Sequence, residues 1–213
     1  MSEVTLREVR QSKAHDSAIK QVTGEARYID DLREPTGLLH CYPGKSAIAS
    51  GSIRSIDLTA VEEAPGVVAV IKAEDIPGKN DCSPIFGDDP IISEGEITFF
   101  GQVIFAVFAK TRDQARWAAQ LAVVDYEEEQ PLISVGDADS SDSTVLPDYK
   151  IGRGDVGAEL DKSANRLQGH FEIGGQDHFY LEGHVSMVEP GEDGDMVVHC
   201  STQHPTEAQH QVA

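Results

Sequence analysis

The sequence is short of cysteine, of aromatic residues and of basic residues, and each shortage removes a class of protein. Three of the 213 residues are cysteines, Cys41, Cys82 and Cys200, and no two of them form a CxxC pair. They predict neither a disulfide framework nor a zinc or iron–sulfur site. So few scattered cysteines are typical of a reducing compartment, and we therefore expect a cytoplasmic protein.

Basic residues are outnumbered by acidic ones. Lysine and arginine total 17 against 37 aspartates and glutamates, which gives a formal net charge of −20. A nucleic-acid partner is excluded because phosphate binding requires a basic surface. An acidic surface also disfavours attachment to anionic lipid. A solvated, acidic surface that keeps the protein soluble accounts for this charge.

Long apolar stretches are missing as well. No apolar run approaches the ~20 residues that a membrane-spanning helix requires. The N-terminal sequence MSEVTLREVRQSKAHDSA has no apolar stretch of the kind found in a secretory signal. We therefore expect no membrane partner. A chain of 213 residues suffices for one sizeable core and for part of a second domain.

Residues 21–131 predict one α+β domain, because their elements run in the order strand, helix, strand, strand, helix, strand. Gln102–Ala109 reads QVIFAVFA and shows no alternation, which predicts a central strand buried on both faces. Thr111, followed three positions later by Gln114, has the pattern of a capping box at a helix start. The other elements predicted here are strands over Leu38–Tyr42, Ile53–Leu58, Val67–Ile71 and Val123–Tyr126, a helix over Thr59–Ala64 and a turn over Ala73–Ile76.

Two stretches outside this domain have a different composition. Residues 1–20 are polar and aperiodic, and they are predicted to be a loose lead-in. Residues 132–150 are acidic, rich in serine and aspartate and poor in large apolar residues. This composition predicts a linker or a long surface loop.

Residues 151–213 predict the beginning of a second unit with little core of its own. Three strands and the start of one helix bury too little apolar surface to be stable alone. We therefore expect the chain to be a piece of a longer protein. The predicted elements are a helix near Val156–Ala164, strands over Leu167–Ile173, Val185–Glu189 and Met196–Ser201, a hairpin turn at Glu192–Gly194 and a helix that starts at Pro205.

Gly152 to Gly157 spell GxGxxG, the letters of a nucleotide-binding fingerprint. That fingerprint requires a hydrophobic strand before the motif and a full helix after it. Here Pro147 interrupts the residues that precede the motif. We favour the interpretation that Asp155 caps the following helix. A nucleotide-binding site at Gly152–Gly157 remains an alternative hypothesis, which a calorimetric measurement of NAD binding would test.

The histidines and serines form no recognisable catalytic pattern. Six of the eight histidines follow Arg166, but their spacing fits no standard ligand set such as HExxH. Structural or surface histidines are therefore the favoured interpretation. No nucleophile elbow is present. Residue chemistry alone thus predicts neither a catalytic residue nor a metal ligand.

Several motifs follow one another in an order that is similar to a known family. These are TGEARYIDDL at residues 23–32, a stretch over residues 97–128 that begins with ITFFGQVIFAVFA, and GGQDHFYLEGH at residues 174–184. They resemble the molybdenum-binding subunits of bacterial xanthine dehydrogenases, in the xanthine dehydrogenase and aldehyde oxidase family. The similarity extends from Ser17 to Ala213. It implies an a/b hammerhead domain followed by the truncated, strand-rich start of a molybdopterin-binding domain.

The resemblance assigns a role to three residues after Ile173. In the family, the glutamine of GGQ lies beside the molybdenum centre and donates a hydrogen bond to an oxo ligand; the matching residue is Gln176. Gly174 and Gly175 carry no side chain, so that backbone and cofactor can approach closely. A neutral amide orients the centre without adding charge and without binding the metal. The family's molybdenum is held by a pterin dithiolene, which implies no protein ligand.

The resemblance also implies a reaction and its partners. In purine catabolism the family hydroxylates hypoxanthine and xanthine to urate with oxygen from water, and the electrons reach NAD. FAD and 2Fe-2S clusters are expected on a partner subunit, so that the full-length protein is expected to be a hetero-oligomer. The catalytic glutamate and the substrate-contacting residues are expected after Ala213, since neither Glu172 nor Glu182 matches them. The chain alone is expected to be inactive and to bind none of these cofactors.

A different class of function fits the same residues. The chain would then be a non-catalytic interaction or assembly domain that retains the hammerhead fold. Both hypotheses predict a folded but inactive chain. Sequence beyond Ala213 distinguishes them: a glycine-rich loop followed by a glutamate favours the enzyme, and a stop codon favours the assembly domain.

Overall fold

The computed structural model describes residues 11–141 and 143–213, which divide into two compact units. The larger unit is Leu39–His178, and the smaller unit joins residues 11–38 to Phe179–Ala213. The first half of the predicted lead-in, residues 1–10, lies outside the described residues. The domain boundaries placed above from the sequence stay predictions.

Helices and strands are short throughout the described residues. The helices are α1 (Ala18–Thr23), α2 (Thr59–Glu62), α3 (Arg112–Ala119), α4 (Val135–Ser140), α5 (Val156–Lys162) and α6 (Pro205–Val212). The strands are β1 (His40–Lys45), β2 (Gly51–Asp57), β3 (Val67–Ile71), β4 (Glu96–Ile97), β5 (Val103–Ala109), β6 (Val123–Glu128), β7 (Ser186–Pro190) and β8 (Met196–Cys200). No helix of this part of the chain is both long and apolar enough to cross a membrane.

The first sheet of the larger unit is built around β5. This strand pairs antiparallel with β1 on one side and with β3 on the other. Ile104, Phe105, Val107 and Ala109 are buried, and the side chains between them are half-buried. A strand paired on both edges and covered on both faces requires an unbroken apolar sequence. The central strand predicted from QVIFAVFA is therefore confirmed.

The second sheet of the larger unit has the order β4-β2-β6, and all of its pairs are antiparallel. Ile53 and Ile56 are three residues apart on β2 and would face opposite sides of a regular strand. The register against β6 shifts between Ile53 and Ser55. Such a bulge reverses the alternation of side chains, and both isoleucines pack against the same core.

Helix α3 begins where the sequence predicts. The Thr111 hydroxyl accepts the backbone N–H of Gln114 at 3.2 Å and thereby caps the helix. The reciprocal half of a capping box is not formed, because Gln114 Oε1 is buried without a hydrogen-bond partner. Ala115 and Ala118 are fully buried where α3 packs on β1 and β5. The core beneath it consists of Ile48, Leu58, Val61, Ile97, Ile104, Phe105, Val107 and Ala118.

The smaller unit contains the hairpin predicted near the C-terminus. Strands β7 and β8 pair antiparallel, with Val188 opposite Val198, and the turn between them occupies Glu192–Gly194. Helix α6 starts at Pro205, where a proline has no backbone N–H to leave unpaired. The predicted hairpin and the predicted helix start are both confirmed.

The strand predicted over Leu167–Ile173 is wrong. These residues have no regular secondary structure, and Leu167, Phe171 and Ile173 are at least 82% exposed. A strand needs a neighbour for its backbone groups and a layer for its apolar face. Within residues 11–141 and 143–213 this stretch pairs with no strand. Its apolar residues therefore do not lead to a strand in this chain.

Two short helices were not predicted from the sequence. Helix α1 falls within and just after the polar lead-in, and α4 falls within the acidic linker. In α4 the Ser134 hydroxyl accepts the N–H of Asp137 at 3.1 Å. Local capping by serine is therefore enough to form one helical turn in a stretch without an apolar face.

Candidate functional site

The three residues predicted to face a cofactor lie on an irregular, exposed stretch of the larger unit. Gly174, Gly175 and Gln176 have no regular secondary structure. The Gln176 amide donates to the carbonyl oxygens of Gly174, at 3.2 Å, and of Gly175, at 3.3 Å. Both contacts are long and exposed to water. The amide can therefore exchange them for another acceptor at little cost in free energy.

Neither glycine of the pair is required by the described chain itself. The φ angles of Gly174 and Gly175 do not lie in the left-handed region that favours glycine. A Cβ atom built on either of them would meet no other heavy atom within 4 Å. Backbone conformation and internal packing therefore leave both glycines unexplained. The open space beside them, together with a neutral amide donor, fits a bulky group that approaches from outside the described chain.

The residues that follow Gln176 enter the smaller unit and are held there by several polar contacts. The Glu182 carboxylate accepts the backbone N–H of Ile29 at 2.9 Å, across 153 residues of sequence. The Ser201 hydroxyl donates to the carbonyl oxygen of Gly183 at 2.9 Å. The hydroxyl of Tyr180 lies 2.6 Å from Nε2 of His184, and their rings stack. We call this set of residues the clasp: Ile29, Tyr180, Glu182, Gly183, His184 and Ser201.

The donor of the long-range contact is fixed by its own local turn. Ile29–Asp31 forms a single 3₁₀ turn, and the Asp31 carboxylate accepts the N–H of Tyr28 at 3.0 Å. The Tyr28 hydroxyl donates to Gln21 at 3.1 Å. The N–H of Ile29, the first residue of the turn, is left to point outward, as the first donors of a helix do. Glu182 supplies the acceptor.

The sequence alone does not predict the clasp. The resemblance excludes Glu182 as the catalytic glutamate, and it assigns no role to Ile29. A signal was present, because Ile29 lies in TGEARYIDDL and Glu182 in GGQDHFYLEGH, two of the motifs that carry the resemblance. Local patterns alone do not show that two such motifs touch.

The GxGxxG motif at Gly152–Gly157 leads into a capped helix, α5. The Asp155 carboxylate accepts the N–H of Ala158 at 3.0 Å, and α5 follows for seven residues. The interpretation of Asp155 as a helix cap is therefore confirmed. No strand of the described chain leads into Gly152, although a dinucleotide fingerprint requires one.

Structural contacts are formed by three of the six histidines that follow Arg166. His184 stacks on Tyr180, His204 accepts the N–H of Glu207 at the start of α6, and His199 lies 3.4 Å from Glu189 on the paired strand. In the described parts of the chain, no three His, Cys, Asp or Glu side chains are grouped so that they could hold a metal ion. Cys41, Cys82 and Cys200 form no disulfide.

Comparison with known proteins identifies the family. Residues 23–130 match the family model described as aldehyde oxidase and xanthine dehydrogenase, a/b hammerhead domain, and residues 138–213 match the molybdopterin cofactor-binding domain. The chain belongs to the xanthine dehydrogenase and aldehyde oxidase family. Its fold is accordingly an a/b hammerhead domain followed by the start of a molybdopterin-binding domain.

Individual relatives agree with this assignment. The xanthine dehydrogenase of Dictyostelium discoideum is 38% identical over 205 residues, which are 96% of this chain and 15% of that protein. The xanthine dehydrogenase/oxidase of Gallus gallus is 38% identical over 190 residues, 89% of this chain and 14% of that protein. The chain thus spans about a seventh of the length of these curated relatives.

A solved structure supports the same fold. The aldehyde oxidoreductase from Desulfovibrio gigas superposes with a TM-score of 0.75 at 27% identity, over 88% of this chain and 23% of that chain. This chain therefore shares its fold with the corresponding part of the Desulfovibrio gigas enzyme. The resemblance recognised from the sequence motifs is confirmed.

Proposed function

We propose that this chain forms part of a molybdenum hydroxylase similar to xanthine dehydrogenase, in which it supplies the hammerhead domain and one cofactor-contacting segment. That segment is Gly174, Gly175 and Gln176. The family assignment supports the class of enzyme. The single observation in the structure that supports the role of the segment is that two adjacent, unobstructed glycines lie directly beside an exposed amide donor.

The residues of the segment would each do a limited task. The two glycines would leave room for the backbone to lie close to a pterin-held molybdenum centre. The Gln176 amide would give up its contacts with the backbone and donate to an oxo ligand of the centre, which orients it. When bound, the centre supplies the chemistry that hydroxylates a carbon atom of the substrate with oxygen from water.

We propose xanthine and hypoxanthine as substrates, with urate as the product and NAD as the electron acceptor. The names of the curated relatives favour a purine over an aldehyde. FAD and 2Fe-2S clusters would be bound by a partner subunit, in a hetero-oligomer of the cytoplasm. The catalytic glutamate and the substrate-binding residues would come from sequence that is not part of this chain, so that the chain alone would be inactive.

Inactivity of the chain alone is tested directly. The purified 213-residue chain is mixed with xanthine and NAD, and urate is measured by its absorbance. We expect none to form, with the full-length assembly as the positive control. Urate formation by the chain itself would contradict this part of the proposal.

The role of the glycine pair is tested by Gly174→Ala and Gly175→Ala in the full-length protein, expressed with its partner subunit. The new methyl groups meet open space in the chain, so that stability should stay within about 0.5 kcal/mol of the wild type. Molybdenum content and purine hydroxylation should both fall. Gly152→Ala is the matched control, because a Cβ there is equally unobstructed. Full molybdenum content in both variants would contradict the proposal.

The assembly-domain hypothesis makes a different prediction for the same samples. If the chain is a non-catalytic domain, the wild-type complex would contain no molybdenum and would have no hydroxylase activity. Substitutions at position 176 would then change neither property. The exposed position of Gln176 in the chain is compatible with either role. Metal analysis of the wild-type assembly therefore distinguishes the two functions before any variant is compared.

A further inference from the structure

The contact between Glu182 and Ile29 is the feature of the clasp that reaches furthest along the sequence. Glu182 Oε1 accepts the N–H of Ile29 at 2.9 Å, and both residues are half-buried. A hydrogen bond from a backbone N–H to a carboxylate is charge-assisted and stronger than one between neutral groups. Partial shielding from water strengthens it further. It therefore ties two distant stretches of the smaller unit together.

The contacts on either side of Glu182 make this a fixed point of the chain. Gly183 accepts the Ser201 hydroxyl from the residue that follows β8, and Tyr180 is paired with His184. Residues 180–184 are thus held by side-chain and backbone bonds although they have no regular secondary structure. By contrast, a Cβ atom on Gly174 or Gly175 would meet open space, and within the described residues the Gln176 amide donates only to the carbonyl oxygens of these two neighbours.

We propose that Glu182 is a positioning residue for the cofactor segment. Because the chain is continuous, the clasp fixes the C-terminal end of the stretch that carries Gln176, which lies six residues earlier. Through Glu182, the N-terminal motif that contains Ile29 restrains the end of the chain segment that leads back to Gln176. This inference rests on the proposed role of Gln176, and it gives TGEARYIDDL a task that needs no contact with the cofactor.

Both partners of the contact can be removed separately. Glu182→Ala deletes the acceptor, and Ile29→Pro deletes the donor. Proline fits at this position, because Ile29 is the first residue of its turn and Tyr28 before it is extended, with φ −97° and ψ 170°. Ile29→Val is the control for the side chain of Ile29, and Glu172→Ala is the control for a lost exposed carboxylate. Glu182→Gln keeps an acceptor oxygen and should therefore preserve the hydrogen bond from the Ile29 N–H.

Two readouts that do not depend on catalysis test the contact itself in the 213-residue chain. In Glu182→Ala, the Ile29 amide should exchange with solvent about ten-fold faster, because its charge-assisted bond is lost. Chymotrypsin should cut after Tyr180 faster in Glu182→Ala and in Ile29→Pro, by a similar factor. The double variant should be cut no faster than the faster single variant, because both substitutions remove one interaction. Unchanged exchange and cleavage would overturn the clasp.

Molybdenum content of the full-length assembly then tests what the clasp is for. Glu182→Ala and Ile29→Pro should each lower it, while Glu182→Gln, Ile29→Val and Glu172→Ala should retain it. Wild-type content in both Glu182→Ala and Ile29→Pro would overturn the positioning role. Loss in Glu182→Ala alone would also overturn it, because Glu182 would then act without Ile29. A wild-type assembly that contains no molybdenum would instead contradict the proposed function, while exchange and cleavage would still decide whether the clasp exists.

Discussion

The aromatic ring of Phe105 covers the backbone of Gly44 on the neighbouring strand. The two residues are direct partners in the antiparallel pairing of β1 and β5. A Cβ atom on Gly44 would lie 2.2 Å from two ring carbons of Phe105. Since Phe105 is 1% exposed and belongs to the core, its ring must move from its packed position before a methyl group fits at residue 44. Gly44 is therefore a packing requirement of the hammerhead core.

Gly44→Ala is expected to destabilise the chain by about 1–3 kcal/mol, the usual cost of inserting a methyl group into a close-packed core. The free energy of unfolding is measured in urea. Gly78→Ala is the control, because a Cβ at Gly78 meets no atom within 4 Å. Equal stabilities of the two variants would show that Phe105 can move aside.

The cap of α3 gives a second prediction about stability. Thr111 Oγ1 accepts the N–H of Gln114 at 3.2 Å, and Thr111→Ala removes this acceptor. We expect a loss of about 1 kcal/mol in the free energy of unfolding. Thr111→Ser keeps the hydroxyl and should retain most of the stability. If serine were as destabilising as alanine, the methyl group of Thr111 would be responsible instead of the cap.

How much of this structure could be predicted from the sequence depends on how local each signal is. The seven apolar residues that end at Ala109, the hydroxyl of Thr111 and the turn at Glu192–Gly194 each determine structure within a few residues, and the structure confirms all three. The apolar residues of Leu167–Ile173 give a strand only if another strand pairs with them. Composition does not show whether such a neighbour exists, and the prediction was wrong.

The candidate site shows the same limit more strongly. No property of Gln176 as a residue predicts contact with a cofactor, and its proposed role rests on the resemblance of GGQDHFYLEGH to a family. The structure adds that Gly174 and Gly175 are unexplained inside the chain. The bond between Ile29 and Glu182 spans 153 residues, and neither residue type nor spacing indicates it. Long-range contacts of single side chains leave no periodic trace in a sequence.

The carboxylate of Asp81 holds together the loop between β3 and β4. We therefore expect the stability of this loop to depend on pH. Asp81 accepts the ammonium of Lys79 at 2.7 Å and the N–H groups of Ser83 and Asp89 at 3.0 and 3.2 Å. The bond from Lys79, followed by the bond from the Ser83 N–H, lowers the pKa of Asp81 below its usual value. Each of these contacts favours the ionised carboxylate.

Because the pKa of Asp81 is lower in the folded state, the ionised carboxylate stabilises the loop at pH values above its unfolded pKa of about 4. This contribution disappears as the pH falls through the folded-state pKa. The backbone amides of Ser83 and Asp89 should therefore lose protection from hydrogen exchange on acidification. In Asp81→Asn this dependence on pH should be absent. If the variant showed the same transition, another carboxylate would be responsible.

The choice of a neutral amide at Gln176 gives a prediction for the full-length assembly that follows from the proposed function. Gln176→Glu replaces a donor with a carboxylate, which when ionised can only accept hydrogen bonds. Purine hydroxylation should fall by about 10–100-fold, the range found when the partner of a metal's ligand is lost. A protonated carboxyl can donate, so that the activity of the variant relative to the wild type should rise as the pH is lowered. A variant as active as the wild type at neutral pH would show that Gln176 donates no hydrogen bond that the reaction needs.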